Sequence, residues 1–308
     1  MVSPGRMRQT QKGVALIIVL MLVAVLSVVV SVYQYRNQSN VQLATQARHY
    51  LLARAAVLSA REELVFTLMT TPLWIEQPNS QRIQELGLPP AFNFWGEPFV
   101  WKDVSITIQD AGALVAVHPF EPGPWRALLQ HVGVQEPQHL IDALEDWYDI
   151  DDFVRLNGAE KDDYAINGLP RNNLPQTVSE LKLVKGMAPY WSRIEPYLTF
   201  LGSPVVNFEF SPVGLLPAFL GQYRAGEFIE MRKSGEHPNV GSLFIQRAED
   251  MGLYLSNRLR ITIEYQQAEP KVSYRETIEL LKSTSTKRLS YIALKQPGYI
   301  QVAEVESN

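Results

Sequence analysis

An uninterrupted apolar segment near the N-terminus constrains this chain more than any other feature. From Val14 to Val32 every side chain is apolar except Ser27 and Ser31. A helix of this length rises roughly 28 Å at about 1.5 Å per residue, which matches the hydrocarbon thickness of a bilayer. A secretory signal has a shorter apolar region followed by small residues, whereas Tyr33 follows here. We therefore predict one transmembrane segment over residues 14–33.

The basic residues beside this segment predict its orientation. Arg6, Arg8 and Lys12 precede it, and Arg36 alone follows closely. Because positively charged flanks are retained in the cytoplasm, we expect a cytoplasmic N-terminus, with the rest of the chain across the membrane. A plain uncleaved signal anchor also fits these observations.

Apolar residues continue at helical spacing beyond the apolar segment. They recur three or four positions apart, and no proline interrupts the segment before Pro72. The pattern predicts one helix from about Val14 to about Thr70, roughly 85 Å long. An amphipathic helix that forms a coiled coil with a partner is the alternative. The positions at this spacing are Val41, Ala44, Arg48, Leu51, Leu52, Ala55, Leu58, Glu62, Val65 and Leu68, of which only Arg48 and Glu62 are charged.

Later segments predict an antiparallel sheet. Val104, Ile106 and Ile108 alternate with polar residues, as in a strand with one buried face. A turn at Asp110 and a returning strand at residues 114–117 would complete a hairpin. Further strands are predicted at residues 205–210, 260–266, 272–281 and 289–295. One long helix followed by such strands indicates the α+β class.

Between these strands the pattern changes to short helices. We predict them at residues 125–131, 137–148, 179–184 and 188–198. Residues 120–200 contain 13 acidic and 7 basic side chains, a net charge of −6, against −4 for the whole chain. The pattern indicates a large inserted domain that is all-α and acidic.

Composition and motifs exclude several classes of function. The chain has no cysteine, which removes thiolate metal sites and thiol nucleophiles. It lacks phosphate-binding loops, nucleophile elbows and His-Glu-x-x-His motifs, and its five histidines are scattered. We therefore expect neither an enzyme nor an organic cofactor. The negative net charge also disfavours nucleic acid as a partner.

Carboxylates are concentrated at residues 146–152 and again at residues 157–164. Crowded carboxylates repel one another unless water or a hard cation separates them, and calcium takes six to eight oxygen ligands from such loops. The spacing is not that of an EF-hand. An acidic surface that is simply hydrated is the alternative to a calcium site.

The start of the apolar segment resembles a prepilin peptidase site, because a basic leader ends in Gly13 and an apolar helix begins at Val14. The resemblance implies cleavage after Gly13 and methylation of the new N-terminus at Val14. Most pilins and pseudopilins carry Glu at the fifth mature position, where this chain has Ile18. The absence of that Glu resembles the K minor pseudopilin of type II secretion systems, also called general secretion pathway protein K.

The central region resembles the same family. Its matching motifs are Asp-Trp-x-Asp-x-Asp-Asp at residues 146–152, Gly-Ala-Glu at 158–160 and Glu-Leu-x-x-Val-x-Gly at 180–186. The family binds calcium here, and the resemblance implies oxygen ligands from Asp149, Asp151, Asp152, Glu160 and Asp163. Only Asn207 remains of the family's Asn-x-Asn-Thr-Ala element, so the chain resembles a divergent member.

The resemblance implies a pilin-like fold and a structural role. Such a subunit is anchored in the bacterial inner membrane by one pass, with its bulk in the periplasm, and is processed by prepilin peptidase. It caps the pseudopilus tip, promotes assembly and serves protein export across the outer membrane. The implied partners are the minor pseudopilins I and J, then other pseudopilins, and exported proteins.

Two alternatives remain beside this interpretation. One is a type IV minor pilin-like adhesin. The other is a membrane-tethered DNA-uptake protein, because residues 180–197 look like half of a helix-hairpin-helix with Lys182 and Lys185 placed near a phosphate. Acidic surroundings and Pro189 at the hairpin disfavour the second alternative.

The predicted organisation has five parts. Residues 1–13 form the leader and residues 14–33 the transmembrane segment. Residues 34–118 contain the periplasmic spine and the first part of the pilin-like domain. Residues 119–201 form the inserted acidic helical domain, and residues 202–308 complete the pilin-like domain with its closing strands.

Overall fold

The computed structural model describes residues 14–74, 80–234, 255–267, 272–282 and 291–296. The predicted leader, including Gly13, lies outside these ranges.

The first helix, α1, runs from Val14 to Thr70 over 57 residues, which confirms the helix predicted from the sequence at both ends. Residues 14–48 are exposed on every face. Within the described part of the chain, α1 is the helix long and apolar enough to cross a membrane, by length and composition. The hydroxyls of Ser27 and Ser31 donate to carbonyls four residues earlier at 2.8 Å, so these polar groups are satisfied inside the helix.

The distal part of α1 has one buried face. Ala53, Val57, Ala60, Leu64 and Leu68 follow one another at spacings of three and four, and all are buried. This face packs against the strands of a sheet. The other described helices are α2 (Ser80–Glu85), α3 (Pro122–His131), α4 (Gln138–Tyr148), α5 (Trp191–Ile194), α6 (Leu216–Leu220) and α7 (Gln222–Ser234).

The described strands form two sheets. They are β1 (Phe99–Trp101), β2 (Val104–Asp110), β3 (Val115–His118), β4 (Leu198–Leu201), β5 (Arg258–Gln267), β6 (Val272–Lys282) and β7 (Tyr291–Gln296). The larger sheet is antiparallel with strand order β1-β2-β5-β6-β7. Opposite residues place Ile106 beside Ile263 and Ile108 beside Ile261, all buried below α1. The predicted α+β class and the alternating strand at residues 104–108 are therefore confirmed.

The predicted hairpin after Asp110 is wrong. A 3-10 turn at Ala111–Ala113 follows β2, with the Asp110 carboxylate accepting from the Gly112 N–H at 3.3 Å. The turn directs the chain off the sheet, and β5 pairs with β2. Strand β3 forms instead a separate parallel pair with β4. The turn after Asp110 therefore leads the chain from the larger sheet to the smaller one.

The predicted strand at residues 205–210 is also wrong, because Phe208–Phe210 form a 3-10 turn. The Asn207 side chain accepts from the Glu209 N–H at 3.2 Å, and this local bond favours a turn over an extended conformation. Phe210 is buried and meets Phe94 edge-on at a ring separation of 6.5 Å. Phe210, which the sequence placed in a strand, thus reaches the core from a turn.

The inserted region contributes most of a second hydrophobic core, which also includes Val115 and Val117 of β3. Helix α4 buries Leu140, Leu144 and Trp147, and α3 contributes Trp125 and Leu128. These helices confirm the predictions at residues 125–131 and 137–148. The two later predicted helices are mostly short 3-10 segments, at Val178–Leu183, Ala188–Tyr190 and Glu195–Tyr197. Prolines at positions 189 and 196 lack the N–H donors that a continuous α-helix needs.

Candidate functional site

The acidic loop, residues 149–160, connects the end of α4 to a 3-10 turn at Lys161–Asp163. Helix α4 positions two aspartates one turn apart, Asp142 and Asp146, and both are buried. Their shared helix face points toward the returning part of the loop, with which both form hydrogen bonds. Two buried carboxylates on α4 therefore hold the loop in place through hydrogen bonds.

Asp146 is fully buried and accepts three hydrogen bonds from the loop. Its Oδ2 accepts from the backbone N–H of Arg155 at 3.2 Å and of Ala159 at 2.8 Å, and its Oδ1 accepts from Arg155 Nη1 at 2.6 Å. The loop passes so closely at Gly158 that a Cβ there would lie 1.8 Å from Asp146 Oδ2. The tight approach explains why glycine stands at this position.

Asp142 supports the same loop one turn earlier. Its Oδ2 accepts from the Asn157 backbone N–H at 3.2 Å and from Asn157 Nδ2 at 3.0 Å. Its Oδ1 accepts from Gln138 Nε2 at 2.6 Å. With its oxygens committed to these partners, Asp142 acts as a support of the loop.

Arg155 provides the positive charge at the centre of the loop. Its Nη1 donates to Asp149 as well as to Asp146, and its Nε lies 2.9 Å from Glu145 Oε2. Hydrogen bonds to Asp149 and then to Asp146 raise the pKa of Arg155. One guanidinium thus neutralises part of a strongly acidic cluster.

Glu160 is buried, and neither of its carboxylate oxygens has a hydrogen-bond partner. The Asp163 N–H lies within reach of this carboxylate, as in a capping box. It donates instead to the backbone carbonyl of Glu160 at 2.7 Å. Burial raises the pKa of Glu160 to about 7, with further contributions from the charges of Asp146, Asp149, Asp152 and Asp151. Near neutral pH the protonated and ionised forms of this carboxyl group therefore coexist.

The remaining predicted ligands are engaged separately. Asp163 accepts from Lys185 Nζ at 2.6 Å, and this bond and one from the Glu160 backbone lower its pKa. Asp151 Oδ1 accepts from the Phe153 N–H at 2.9 Å, and Asp152 Oδ1 accepts from Asn172 Nδ2 at 3.1 Å. Four of the five predicted ligands therefore lie on the acidic loop and Asp163 lies in the turn after it, and the five do not meet at one point.

The donor set partly fits a hard cation. In the described ranges no three His, Asp or Glu side chains are arranged as a metal-binding group. Three buried oxygens are nevertheless without hydrogen-bond partners, namely both of Glu160 and Oδ1 of Asp149. Carboxylate oxygens are the ligands that calcium prefers. Glu160 and Asp149 thus offer buried oxygen atoms to an ion.

Comparison with known proteins identifies the region that holds this loop. The family model for type II secretion system (T2SS), protein K, matches residues 107–203. We refer to residues 107–203, the region of this similarity, as the protein K domain. The match contains the acidic loop, both supporting aspartates on α4 and the segment around Gly186, so the family resemblance inferred from the sequence is confirmed.

Three relatives with this description are similar over different parts of the chain. Type II secretion system protein K of Klebsiella pneumoniae is 27% identical over 273 residues, which cover 79% of this chain and 81% of that protein. A putative type II secretion system protein K of Escherichia coli (strain K12) is 24% identical over 210 residues, covering 63% and 64% of the two chains. The protein K of Dickeya chrysanthemi is 34% identical over 102 residues, covering 32% and 28%.

One solved structure is also similar. It is a chain in the crystal structure of the GspK-GspI-GspJ complex from the type 2 secretion system of enterotoxigenic Escherichia coli. That chain is 16% identical, with a TM-score of 0.44, and the match covers 85% of this chain and 99% of that one.

Within the protein K domain, sequence reasoning missed the residues that hold the loop in place. Asp142, Asp146 and Arg155 determine its path, and Asn172 donates to the Asp151 carbonyl at 2.7 Å. The signal was present in the sequence, because two aspartates four apart on an amphipathic helix share one face. What the sequence did not show is that this face lies inside the domain.

The hairpin-like segment of the protein K domain also differs from a phosphate-binding element. Lys185 pairs with Asp163, and Gly186 adopts φ +83°, with Leu140 only 3.0 Å from the position of a Cβ. Leu181 and Ile194 are buried in the core of the domain. These contacts favour a packing role for the segment over binding to nucleic acid.

Proposed function

We propose that this chain is a non-enzymatic minor pseudopilin of a type II secretion system that caps the pseudopilus tip and promotes its assembly for protein export. The observation that carries the proposal is the combination of two features in one chain. One is the protein K domain, and the other is the helix α1, whose first 35 residues are exposed and largely apolar. A helix of this kind can pack both in a membrane and against similar helices.

The proposed location follows from the same helix. It is a single pass through the bacterial inner membrane, with a cytoplasmic N-terminus and the two cores in the periplasm. The proposed partners are the minor pseudopilins I and J, other pseudopilins and exported proteins, with prepilin peptidase as the processing enzyme. The inserted domain suits a tip position, because a bulky domain repeated at every level of a filament would clash with its neighbours.

Processing is the first test of this proposal. The N-terminus and intact mass of the membrane-extracted chain are measured after expression with and without prepilin peptidase. A chain that begins at Val14 only in the presence of the peptidase supports the proposal. A chain that keeps Met1 in both cases contradicts it and returns the segment to a plain signal anchor. Gly13→Val is the matched control, since it should abolish the shift without changing expression.

The tip role requires a second test. Deletion of residues 120–201 should abolish secretion and pseudopilus assembly in cells that carry the complete system. The shortened chain must still be found in the membrane and processed at Val14, so that loss of the protein is not mistaken for loss of function. Unchanged secretion with the shortened chain would refute the tip role.

We also propose that calcium binds at the acidic loop. A bound calcium ion supplies positive charge among carboxylates that otherwise repel one another. The unpartnered oxygens of Glu160 and Asp149 support the proposal, and Asp151, Asp152 and Asp163 lie on the same loop or at its end. Lys185 and Arg155 would then share these carboxylates with the ion.

Calorimetry of the full chain in detergent tests the calcium proposal. Calcium should raise the unfolding temperature, because a ligand at about a hundredfold excess over its Kd stabilises the folded state by about 2.7 kcal/mol. Glu160→Gln should remove most of the shift, whereas Glu136→Gln, a change at an exposed residue, should preserve it. No shift with the wild-type chain would refute the proposal.

A further inference from the structure

The acidic loop exposes an unusual number of large apolar side chains. Ile150 is 90% exposed, Phe153 82%, Val154 58% and Leu156 96%. These four residues lie within seven positions of one loop. Single exposed apolar residues are ordinary on protein surfaces, but a local group of this size is typical of an interaction site.

The loop is held in this conformation from both sides. Arg155, in the middle of the apolar group, is fixed through its backbone N–H and its guanidinium to the buried Asp146. Asn172 donates to the Asp151 carbonyl at 2.7 Å and to the Asp152 carboxylate. Since these bonds already order the backbone, binding through the exposed side chains would cost little further backbone entropy.

The charge around the apolar group restricts what can cover it. Asp149, Asp151 and Asp152 flank Ile150 and Phe153 directly, in a domain of net charge −6. An anionic lipid surface and a second copy of this domain would both bring negative charge against negative charge. A protein surface with lysine or arginine side chains around an apolar pocket complements both features.

We propose that the loop at residues 150–156 docks a protein partner that presents an apolar pocket rimmed by basic side chains. Phe153 and Leu156 insert into the pocket, and the flanking aspartates pair with its rim. The inference depends on the proposed function only for the periplasmic location of the loop. It shares flanking aspartates with the proposed calcium site, but its anchors are the exposed side chains of Phe153 and Leu156, which supply no oxygen to an ion.

Photo-crosslinking in cells that carry the complete secretion system provides the first part of the test. A photo-reactive amino acid replaces Phe153 or Leu156 in the full-length chain, and Leu183, an exposed apolar residue elsewhere in the insert, is the matched control position. We expect positions 153 and 156 to crosslink to one periplasmic protein, identified by mass spectrometry. A third position, Leu43 on the exposed part of α1, reports contact with other pseudopilins.

Direct binding is the second part. The identified protein is purified and titrated onto the full chain in phosphatidylethanolamine–phosphatidylglycerol nanodiscs. The double variant Phe153→Ser/Leu156→Ser should weaken binding about tenfold or more, as expected for anchor residues, whereas Leu183→Ser should leave it unchanged. Raising the salt concentration from about 50 to about 300 mM should weaken binding further, because the rim pairs are screened.

Several results would overturn the inference. They are crosslinks from positions 153 and 156 to lipid alone, to a second copy alone or to nothing, and binding that the double variant leaves intact. If position 43 still crosslinks to pseudopilins in these cases, the proposed function stands and only the docking inference fails. If positions 153 and 156 crosslink to a protein but position 43 does not crosslink to pseudopilins, the proposed function is contradicted.

Discussion

Gly158 illustrates how a single residue determines the order of the acidic loop. The backbone passes so close to Asp146 that no side chain fits, and the neighbouring Ala159 N–H donates to the same carboxylate. The glycine is therefore required by a close approach to a buried charge.

A substitution at this position tests the arrangement. Gly158→Ala should destabilise the chain by about 2 kcal/mol or more, because the added methyl group displaces the Asp146 carboxylate from three donors. Gly123→Ala is the matched control: a Cβ there meets nothing within 4 Å and the site is helical, so a gain of about 0.5 kcal/mol is expected. Equal unfolding midpoints of the two variants in urea would contradict this account.

Glu160 gives a prediction about pH. Its folded-state pKa of about 7 lies above the ordinary value, so its contribution to stability is present at low pH and is lost as the pH rises through 7. With a chelator present, the free energy of unfolding should fall by about 1 to 3 kcal/mol between pH 5 and pH 8.

Two variants distinguish the contribution of Glu160 to this pH dependence from that of other carboxylates. Glu160→Gln should remove much of that fall, and Glu136→Gln should not. Calcium should reverse the fall in the wild-type chain, since a bound cation favours the ionised carboxylate. A wild-type profile that is flat across this pH range would show that Glu160 does not titrate there.

At the level of elements, α1 performs two tasks with two different faces. Its distal half buries Leu64 and Leu68 against the sheet, while Leu51 and Leu52 remain exposed at 60% and 54%. A helix that only supported the sheet would not need apolar residues on its solvent face. The exposed face is therefore available to other helices.

Paired substitutions distinguish the two faces. Leu64→Ala should lower the free energy of unfolding by about 2 to 5 kcal/mol, because it opens a cavity beside the sheet. Leu52→Ala should change it by less than about 0.5 kcal/mol but reduce crosslinking between α1 and the pseudopilins proposed as its partners. An unfolding midpoint that shifts equally in both variants would mean that Leu52 is also part of the internal core.

At the level of the whole molecule, a few polar contacts join the sheet core to the core of the inserted domain. The Asn207 N–H donates to the Gly112 carbonyl at 2.8 Å, and Ser211 Oγ donates to the Ala113 carbonyl at 2.8 Å. Arg260 on β5 donates to the Leu198 carbonyl on β4 at 3.3 Å. Asp110 lies at this junction, fully buried, and accepts from Ser256 and Gly112.

Asp110 makes the junction sensitive to pH. Burial raises its pKa to about 6, against the hydrogen bonds from Ser256 and Gly112, which lower it. Its contribution to stability is therefore complete below pH 4 and is lost as the pH rises through 6. Asp110→Asn, which keeps an oxygen for the same donors, should raise the free energy of unfolding at pH 7.5 by about 1 to 3 kcal/mol and flatten the pH profile between about 4 and 6.

Calorimetric scans at pH 4.5, 6 and 7.5 measure this effect, with Asp162→Asn as an exposed control. A loss of stability in Asp110→Asn at every pH would mean that the carboxylate remains charged and is needed for the junction.

Periodicity and local motifs allowed much of the fold to be predicted. The apolar segment and its continuation at helical spacing predicted α1 at both ends, and alternation predicted β2, because these patterns depend only on which face of one element is buried. Strands β5 and β6 were also predicted close to their observed positions. The family motifs likewise predicted the similarity to protein K in the region that contains the acidic loop. Its ligand set stays a prediction.

Tertiary structure decided the rest. Strand β3 left its expected hairpin because β5, more than 140 residues away, pairs with β2, and residues 208–210 formed a turn that delivers Phe210 to the core. Arg155 donates to the buried Asp146, whereas its neighbours Phe153 and Leu156 are exposed. No periodicity in the sequence predicts which of these side chains turn inward. Pairing partners and the burial of individual charges depend on segments far apart in the chain, so local sequence alone does not determine them.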